Sequence, residues 1–236
     1  MPTLILAFEG PWQSWGSGSK FDYRQTEPIP TKSGVIGMIA AAMGRKREES
    51  LLDLNQLELT IRIDQPGIVC EDFQTMKVAG QEHPYISHKF YLADAKFLVC
   101  LTHPSSDFLK EIATALNHPF YPIYLGRRNC PPAGKLVRDL INEEDGEAAA
   151  RSYPWLASEW FKKKHQKPPQ NLRIFKEGNG GFRQIRLKDL PVSFERVNRQ
   201  YKNRLICEVS SLSVENTPPT IDIDFFEEAK YVSQQD

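Results

Sequence analysis

The order of apolar segments in the first 125 residues restricts the fold of this chain more than any other feature. Four segments rich in β-branched and other apolar residues are predicted as strands: Thr3–Phe8, Leu57–Ile63, Ala95–Leu101 and Phe120–Leu125. A helix capped by Thr31 or Ser33 and ended at Gly44 follows the first strand, and one capped by Ser105 or Ser106 follows the third. The sequence therefore predicts an α+β fold.

A hairpin is predicted between the second and third strands, from a less regular segment at residues 67–90. The order is then strand, helix, strand, hairpin, strand, helix, strand, which is the ferredoxin-like pattern of RNA-recognition (RRM) domains. We expect this core over residues 1–135, with the hairpin inserted at about 71–89. The pattern hosts many unrelated functions, so it positions candidate residues without naming an activity.

The composition changes after about Asp139. An acidic stretch leads into a predicted helix at 148–164, and short β-type segments follow: Leu172–Phe175, Phe182–Leu187, Val192–Val197 and Arg204–Val209. We therefore expect a helical and β-rich C-terminal region at 136–215 and an acidic tail at 216–236.

The formal net charge is zero, but the charges are separated along the chain. By segment, the net charge is +4 at 12–47, −6 at 48–72, +4 at 123–138, −5 at 139–150, +10 at 151–207 and −6 at 208–236. Blocks of opposite sign allow a basic surface on a neutral molecule. Binding of nucleic acid and binding of acidic protein partners both stay open.

Several classes of protein are disfavoured. No apolar run is long enough to span a membrane, and the first strand lacks the flanks of a signal peptide, so we expect a cytoplasmic protein. The four cysteines are far apart, with no C-x-x-C pair, which argues against a zinc site. The G-x-x-x-x-G-K spacing of a phosphate-binding loop is also missing. We predict neither a metal nor a cofactor.

The polar segment between the first strand and the first helix is the first candidate for nucleic-acid contact. Trp12 and Trp15 lie beside amide, hydroxyl and small residues, which suits stacking of unpaired bases. Lys32–Gly34 lies at a helix start, where free N–H groups and the helix dipole attract phosphate. The alternative is that both tryptophans are core residues and that Gly34 and Gly37 allow tight helix packing.

An arginine pair is the second candidate. Arg127 and Arg128 follow a predicted strand and a glycine, where their side chains could fork onto phosphates or stack on bases. A solvated charge pair is the alternative. The residues predicted to bind RNA are Trp12, Gln13, Ser14, Trp15, Gly16, Lys20, Arg24, Lys32, Ser33, Gly34, Arg45, Arg127 and Arg128.

A third group, near the predicted hairpin, raises the possibility of RNA cleavage. Tyr85, His88, Lys89 and Tyr91, with His83 nearby, contain the base, acid and cation that metal-independent cleavage needs. Side chains of a strand alternate, however, so His88 is expected to face away from Lys89 and Tyr91. We predict no catalytic residue, and an endoribonuclease that processes precursor RNA stays the alternative.

Four ordered motifs resemble the CasD family, whose members are RAMP-superfamily subunits of the E-subtype Cascade complex. The motifs are G-P-W-Q-S-W-G at 10–16, P-T-K-S-G-V-I-G-M-I-A-A-A-M-G-R at 30–45, Y-L-A-D-A-K-F-L-V at 91–99 and Y-L-G-R-R-N-C-P-P at 124–132. The resemblance is dense from Leu4 to Pro132, is absent at 139–176, and returns faintly at Leu190–Phe194 and Arg199–Arg204.

The resemblance implies a non-catalytic subunit that holds the repeat-derived 5′ handle of CRISPR RNA for antiviral defence. It implies a ferredoxin-like RAMP core with a projecting β-hairpin thumb, with Trp12–Gly16 and Lys32–Gly34 facing the handle and Arg127 and Arg128 lining the same groove. The implied partners are CRISPR RNA, the Cascade backbone and large subunits and nearby target DNA, with no homo-oligomer. A third possibility is an assembly protein whose basic segments contact acidic partners.

Overall fold

The computed structural model describes residues 1–17, 23–77, 80, 84–142, 145–165 and 170–214. The strands are β1 Thr3–Glu9, β2 Trp12–Gln13, β3 Tyr23–Arg24, β4 Glu58–Gln65, β5 Ile68–Met76, β6 Tyr85–Ala93, β7 Lys96–Thr102, β8 Val137–Ile141, β9 Gln170–Glu177, β10 Arg183–Ser193 and β11 Gln200–Val214. The helices are α1 Lys32–Ala42, α2 Ser106–Asn117, α3 Gly146–Ser152 and α4 Glu159–Lys164, and a 3-10 turn covers Leu54–Gln56.

A seven-stranded antiparallel sheet forms the body, in the order β10-β11-β9-β4-β7-β1-β8. β7 pairs with β1 on one side and β4 on the other, so Thr102 is opposite both Thr3 and Glu58. Because helices cover both faces of these central strands, almost all of their side chains are buried. This explains why they occur in the sequence as nearly continuous apolar runs instead of alternating ones.

The two faces of the sheet are covered differently. α1 and α2 pack on one face, where Ile36, Ile39 and Ile112 join the main hydrophobic core. On the other face, the small side chains of α3 lie in a separate cluster with Ile5, Leu98, Cys100 and others. Burial in this cluster raises the pKa of Cys100 to about 12, so its thiol stays protonated at neutral pH.

The start of each long helix agrees with the sequence prediction. The Thr31 hydroxyl accepts a hydrogen bond from the Gly34 amide at 3.3 Å, and the Ser105 hydroxyl accepts one from the Phe108 amide at 3.2 Å. Gly44 follows α1 with a φ of +75°, a left-handed conformation that glycine adopts without steric cost.

A smaller sheet stands beside the body. β5 and β6 form an antiparallel pair from Ile68 opposite Ala93 to Met76 opposite Tyr85. The other edge of β6 carries β2, which is antiparallel, and β3, which is parallel. A hairpin of two long strands is therefore present in the region predicted to contain one, while residues 78–79 and 81–83 lie outside the described part.

The predicted strand at Phe120–Leu125 is wrong. Pro119 precedes it and Pro122 interrupts it, and proline lacks the N–H that a strand ladder needs. The amides of Phe120 and Tyr121 instead donate to the carbonyls of Ala42 and Ala41, at the end of α1. The strand that follows α2 is β8. Arg138 and Asp139 interrupt its apolar pattern, so the sequence did not predict it.

The predicted helix at 148–164 is also wrong, because α3 and α4 are separate. Pro154 disfavours helical geometry at Tyr153, which is extended. β10 contains most of the predicted strand Phe182–Leu187 and continues through Pro191, which an edge strand tolerates. It includes only the first two residues of the predicted strand Val192–Val197, and residues 194–197 are not in a strand.

One sheet spans both sides of the predicted domain boundary at residue 135, since β8–β11 join strands of the first half. The division therefore stays a prediction. The acidic tail at 216–236 and Lys20 lie outside the described residues. Within the described residues, no helix has the length and apolarity needed to cross a membrane.

A fully buried ion pair holds the segment after α3 against the sheet. Arg62 and Asp64, both on β4, are bonded twice, at 2.6 and 2.7 Å. The other three guanidinium N–H groups donate to the carbonyls of Ala150, Tyr153 and Pro154 at 2.6–2.7 Å. All five donors of Arg62 are therefore satisfied.

We expect Arg62→Met to lower the free energy of unfolding by about 3–5 kcal/mol, because it leaves the Asp64 carboxylate buried without its cation. Urea denaturation measures the change. Lys110→Met is the control, since Lys110 forms an exposed pair with Asp107 and should change stability by less than about 1 kcal/mol. Equal effects of the two substitutions would contradict the structural role of Arg62.

Candidate nucleic-acid interface

A cavity of about 570 Å³ lies where the start of α1 meets three loops. Its lining residues come from five separate parts of the chain: Ser14, Trp15, Gly16, Arg24, Thr31, Ser33, Gly34, Gly126, Arg127, Arg199 and Tyr201. Seven of the residues predicted to bind RNA are among them. The first and second candidate groups of the sequence therefore meet at one place, which we call the arginine cavity.

Trp15 forms the apolar wall of the arginine cavity. Its ring is fully buried and stacks on Phe8, with the ring centroids 5.5 Å apart. The indole N–H donates to Gln13 Oε1 at 3.1 Å, and the Gln13 amide donates to the carbonyls of Phe8 and Ala95. The interpretation of Trp15 as a base-stacking platform is wrong, because neither ring face is open, and the core alternative holds for this residue.

Two glycines let the backbone approach closely at this wall. A Cβ atom on Gly34 would lie 2.8 Å from the Trp15 ring, closer than carbon atoms pack. Gly126 has a φ of +94°, and a side chain there would overlap the Ser14 carbonyl. The glycines of the sequence motifs thus shape the cavity through packing.

The first turn of α1 is already occupied by protein groups. The Lys32 amide donates to the buried Asp189 carboxylate at 2.8 Å, and the Lys32 ammonium group pairs with Glu177 at 2.9 Å. Arg204 bonds Asp189 through two nitrogens, each at 2.8 Å. The expected phosphate contact of Lys32 is therefore wrong for this structure, because its ammonium is buried and neutralised, while Ser33 and Gly34 do line the cavity.

The guanidinium of Arg127 is held in the cavity wall with one of its nitrogens unsatisfied. One Nη2 hydrogen bond reaches the carbonyl of Arg24 at 2.5 Å, and the guanidinium lies 4.8 Å from the centroid of the Tyr91 ring. Its Nη1 is buried and has no hydrogen-bond partner in the described structure. A buried N–H group without an acceptor is costly, so an incoming anion or carbonyl would relieve it.

Three arginines face the cavity, and no acidic side chain lies among the described residues that line it. Arg24 comes from β3, Arg127 from the loop before β8, and Arg199 from the β10–β11 connection. Arg199 and Tyr201 were not among the predicted site residues. The segment Arg199–Arg204 faintly resembles the CasD family in sequence. Spacing along the chain, however, does not predict that residue 199 lies beside residues 24 and 127.

Other predicted residues lie elsewhere. Arg45 is at the opposite end of α1, about 16 Å along the helix, and is paired with Asp53, which raises the pKa of Arg45 and lowers that of Asp53. Arg45 therefore does not line the cavity, and its predicted contact with RNA stays a prediction. Arg128 is exposed and outside the lining, and Trp12 is partly exposed, with its ring edge-on to Tyr91 at 4.7 Å.

The histidine of the third candidate group has a packing role. His88 bonds Glu71 at 2.5 Å and stacks on Tyr23 with centroids 4.5 Å apart. Tyr91 lies on the opposite face of β6, where it contacts Trp12 and Arg127. The two side chains thus do not converge on one phosphate position, as strand alternation predicted. In the described residues, no group of three or more His, Cys, Asp or Glu side chains is arranged to hold a metal ion.

Gly34→Ala should lower the free energy of unfolding by about 1–3 kcal/mol, because the new methyl group overlaps the Trp15 ring. Gly37→Ala is the matched control in the same helix. Its methyl group would lie 3.5 Å from Phe194, an ordinary contact, so stability should rise by up to about 1 kcal/mol through helix propensity. Urea denaturation of both variants measures these changes. A change of the same sign in the free energy of unfolding of both variants would refute the packing argument.

His88→Ala should loosen the segment 23–27, because it removes the ring on which Tyr23 stacks. Amide hydrogen exchange in this segment should become about threefold to tenfold faster, the range that one aromatic contact supplies. His88→Phe keeps the ring but loses the Glu71 bond, so its exchange should stay close to that of the unchanged protein. Equal exchange in His88→Ala and the unchanged protein would rule out this positioning role.

Comparison with known proteins gives consistent matches over most of the chain. A family model described as CRISPR-associated protein (Cas_Cas5) matches residues 3–206. CRISPR system Cascade subunit CasD of Escherichia coli strain K12 is 30% identical over 172 residues, which covers 64% of this chain and 76% of that protein. A chain of a solved CRISPR RNA-guided surveillance complex is 30% identical, with a TM-score of 0.75, and covers 98% of this chain and 100% of its own.

A further solved structure, described as a Cas protein, is 33% identical with a TM-score of 0.70, over 92% of this chain and 100% of its own. The matched range includes both halves of the seven-stranded sheet and every residue that lines the arginine cavity. The chain belongs to the Cas5 family of CRISPR-associated proteins.

Proposed function

We propose that this chain is the CasD-type subunit of a Cascade surveillance complex, and that it holds the repeat-derived 5′ handle of CRISPR RNA without cutting it. The observation that carries the proposal is the arginine cavity, where three of the four sequence motifs of a Cas5-family chain come together with Arg24 and Arg199. The similarity to a Cascade subunit and to a chain of an RNA-guided complex supports the same role.

The chemistry of the cavity suits a nucleotide of a single strand. A volume of about 570 Å³ falls within the usual range of about 300–1,000 Å³ for small-molecule sites. Arg24, Arg127 and Arg199 offer charge-assisted donors to phosphate, and Tyr201 offers a ring to a base. The unsatisfied Nη1 of Arg127 gives the site a polar group that is complete only with an acceptor in place.

The proposal includes a finer description of the fold. The order β8-β1-β7-β4, with α1 after β1 and α2 after β7, is that of a ferredoxin-like RAMP core, and the β5–β6 hairpin would be its thumb. We further propose the division into a core at 1–135, a C-terminal region at 136–215 and a tail at 216–236.

A binding role is favoured over turnover. His88 is engaged by Glu71 and Tyr23, and Lys89 donates to Gln74, so neither group is directed with Tyr91 at a shared substrate position. The related chain named as a Cascade subunit also favours a structural role over the endoribonuclease alternative. The Cascade backbone and large subunits, nearby target DNA, a cytoplasmic location and a chain that does not self-associate belong to the same proposal.

Arg127→Gln should weaken binding of RNA that carries the 5′ handle by about tenfold or more, because a charged hydrogen bond to phosphate contributes about 1.5–3 kcal/mol. The slope of log affinity against log salt should also fall by about 0.7. Arg128→Gln is the matched control, since Arg128 is the exposed neighbour outside the cavity. Fluorescence anisotropy with labelled RNA measures both, and thermal melts verify that each variant is folded.

The same samples, incubated with precursor CRISPR RNA and a chelator, test for cleavage. Handle-dependent binding with intact RNA supports the proposal. Equal affinity for intact and scrambled handles would favour an assembly role. Defined cuts in the repeat that disappear in His88→Ala would overturn the proposal in favour of a processing enzyme.

A further inference from the structure

The edge of the seven-stranded sheet that β10 forms is strongly basic. β10, β11 and the loop between them expose six basic side chains: Arg183, Arg186, Lys188, Arg196, Arg199 and Lys202. None of the six forms a salt bridge with a described residue. Between residues 178 and 203 the acidic residues are Asp189, which is buried against Arg204, and Glu195.

In contrast to these exposed side chains, Arg173 and Arg204 of the neighbouring strands form salt bridges. Arg204 is paired with Asp189 and Glu177, and Arg173 is paired with Glu208, so the cations that hold the sheet together are neutralised. The exposed cations therefore add a net positive field at the edge instead of contributing to internal pairing. Such a field attracts a polyanion.

The arrangement of these cations follows the strand. Arg183, Arg186 and Lys188 span six residues, about 17 Å of extended chain, and strand alternation places Arg186 and Lys188 on one face and Arg183 on the other. Lys202 lies on the neighbouring strand, opposite Leu190, so it adds a second row beside Lys188. No described strand pairs with the outer edge of β10, although the Asn55 side chain donates to the carbonyl of Pro191. The side chains of Arg183, Arg186 and Lys188 are exposed.

The missing aromatic residues distinguish the edge from the arginine cavity. The cavity combines arginines with a tyrosine and suits an unstacked base, whereas β10 itself contains no aromatic residue and the exposed ring of Phe182 lies before its first residue. Single-strand sites usually pair cations with stacking rings, but a duplex hides its bases and offers a regular row of phosphates. The basic edge therefore fits a double helix better than a single strand.

We infer that the β10 edge, with Lys202 of β11, is a docking surface for the phosphate backbone of double-stranded DNA, separate from the arginine cavity. Arg199 lines the cavity and belongs to the same β10–β11 connection, so the two surfaces adjoin. The contact is with phosphates only, and it is therefore expected to be independent of DNA sequence and sensitive to salt. The inference rests on the proposed function in one respect, since it gives the nearby target DNA a surface, but it does not depend on the binding of RNA.

The test uses the full chain and a labelled DNA duplex of about three helical turns. The triple variant Arg186→Gln, Lys188→Gln and Lys202→Gln should lose at least about tenfold in duplex affinity, and its slope of log affinity against log salt should fall by about three. Binding of RNA with the 5′ handle should change by less than about twofold, because none of the three residues lines the cavity.

The control is the triple variant Lys135→Gln, Lys163→Gln and Lys164→Gln, which removes the same charge from exposed positions away from β10. It should leave duplex affinity within about threefold, since loss of net charge alone has a small effect. Unchanged duplex affinity in the β10 variant, or an equal loss in both variants, overturns the inference.

Two further outcomes are decisive. Cations on an edge strand also prevent strands of other molecules from pairing with it. If the β10 variant self-associates in light scattering while its monomer binds duplex normally, the cations serve that protection and the inference fails. If the β10 variant loses affinity for single-stranded RNA alone, the edge binds RNA and the inference also fails. Failure of the unchanged chain to bind handle RNA would count against the proposed function alone.

Discussion

The buried carboxylate of Asp189 is the contact on which the position of the arginine cavity depends. It accepts two hydrogen bonds from Arg204 on β11 and one from the amide of Lys32, the first residue of α1. Glu177 of β9 completes the network by pairing with Lys32 and Arg204. Breaking such a buried network leaves charges without compensation, so the C-terminal strands and the helix start are held as one unit. The cavity lies between the two parts that this network joins.

The sequence predicted most of the elements that surround the cavity, because local rules determine them. Thr31 and Ser105 are effective helix caps in any context, and the central strands are apolar enough to be recognised without knowledge of their partners. The glycine and arginine motifs that the sequence singled out come together at one cavity. Gly34 follows the packing alternative, since its lack of a side chain leaves room for the ring of Trp15.

The errors have a common physical cause, which is that a charged residue does not reveal in sequence whether it will be buried. Lys32, Arg62 and Asp189 are residue types that usually lie on a surface, yet all three are inside the protein because each is paired with an opposite charge. The partner of Lys32 is 145 residues away. The cavity residues Arg199 and Tyr201 were missed for the same reason, since long-range sheet pairing brings them to α1.

The short strand β3 belongs to two parts of the protein at once. Tyr23 stacks on His88 of the hairpin, while the next residue, Arg24, lines the arginine cavity and accepts a hydrogen bond from Arg127. A ligand in the cavity and a contact on the hairpin therefore act on adjacent residues of one short strand. Thermodynamic linkage makes their effects reciprocal. If a partner bound to the hairpin strengthens ligand binding in the cavity, the ligand strengthens binding of that partner by the same factor.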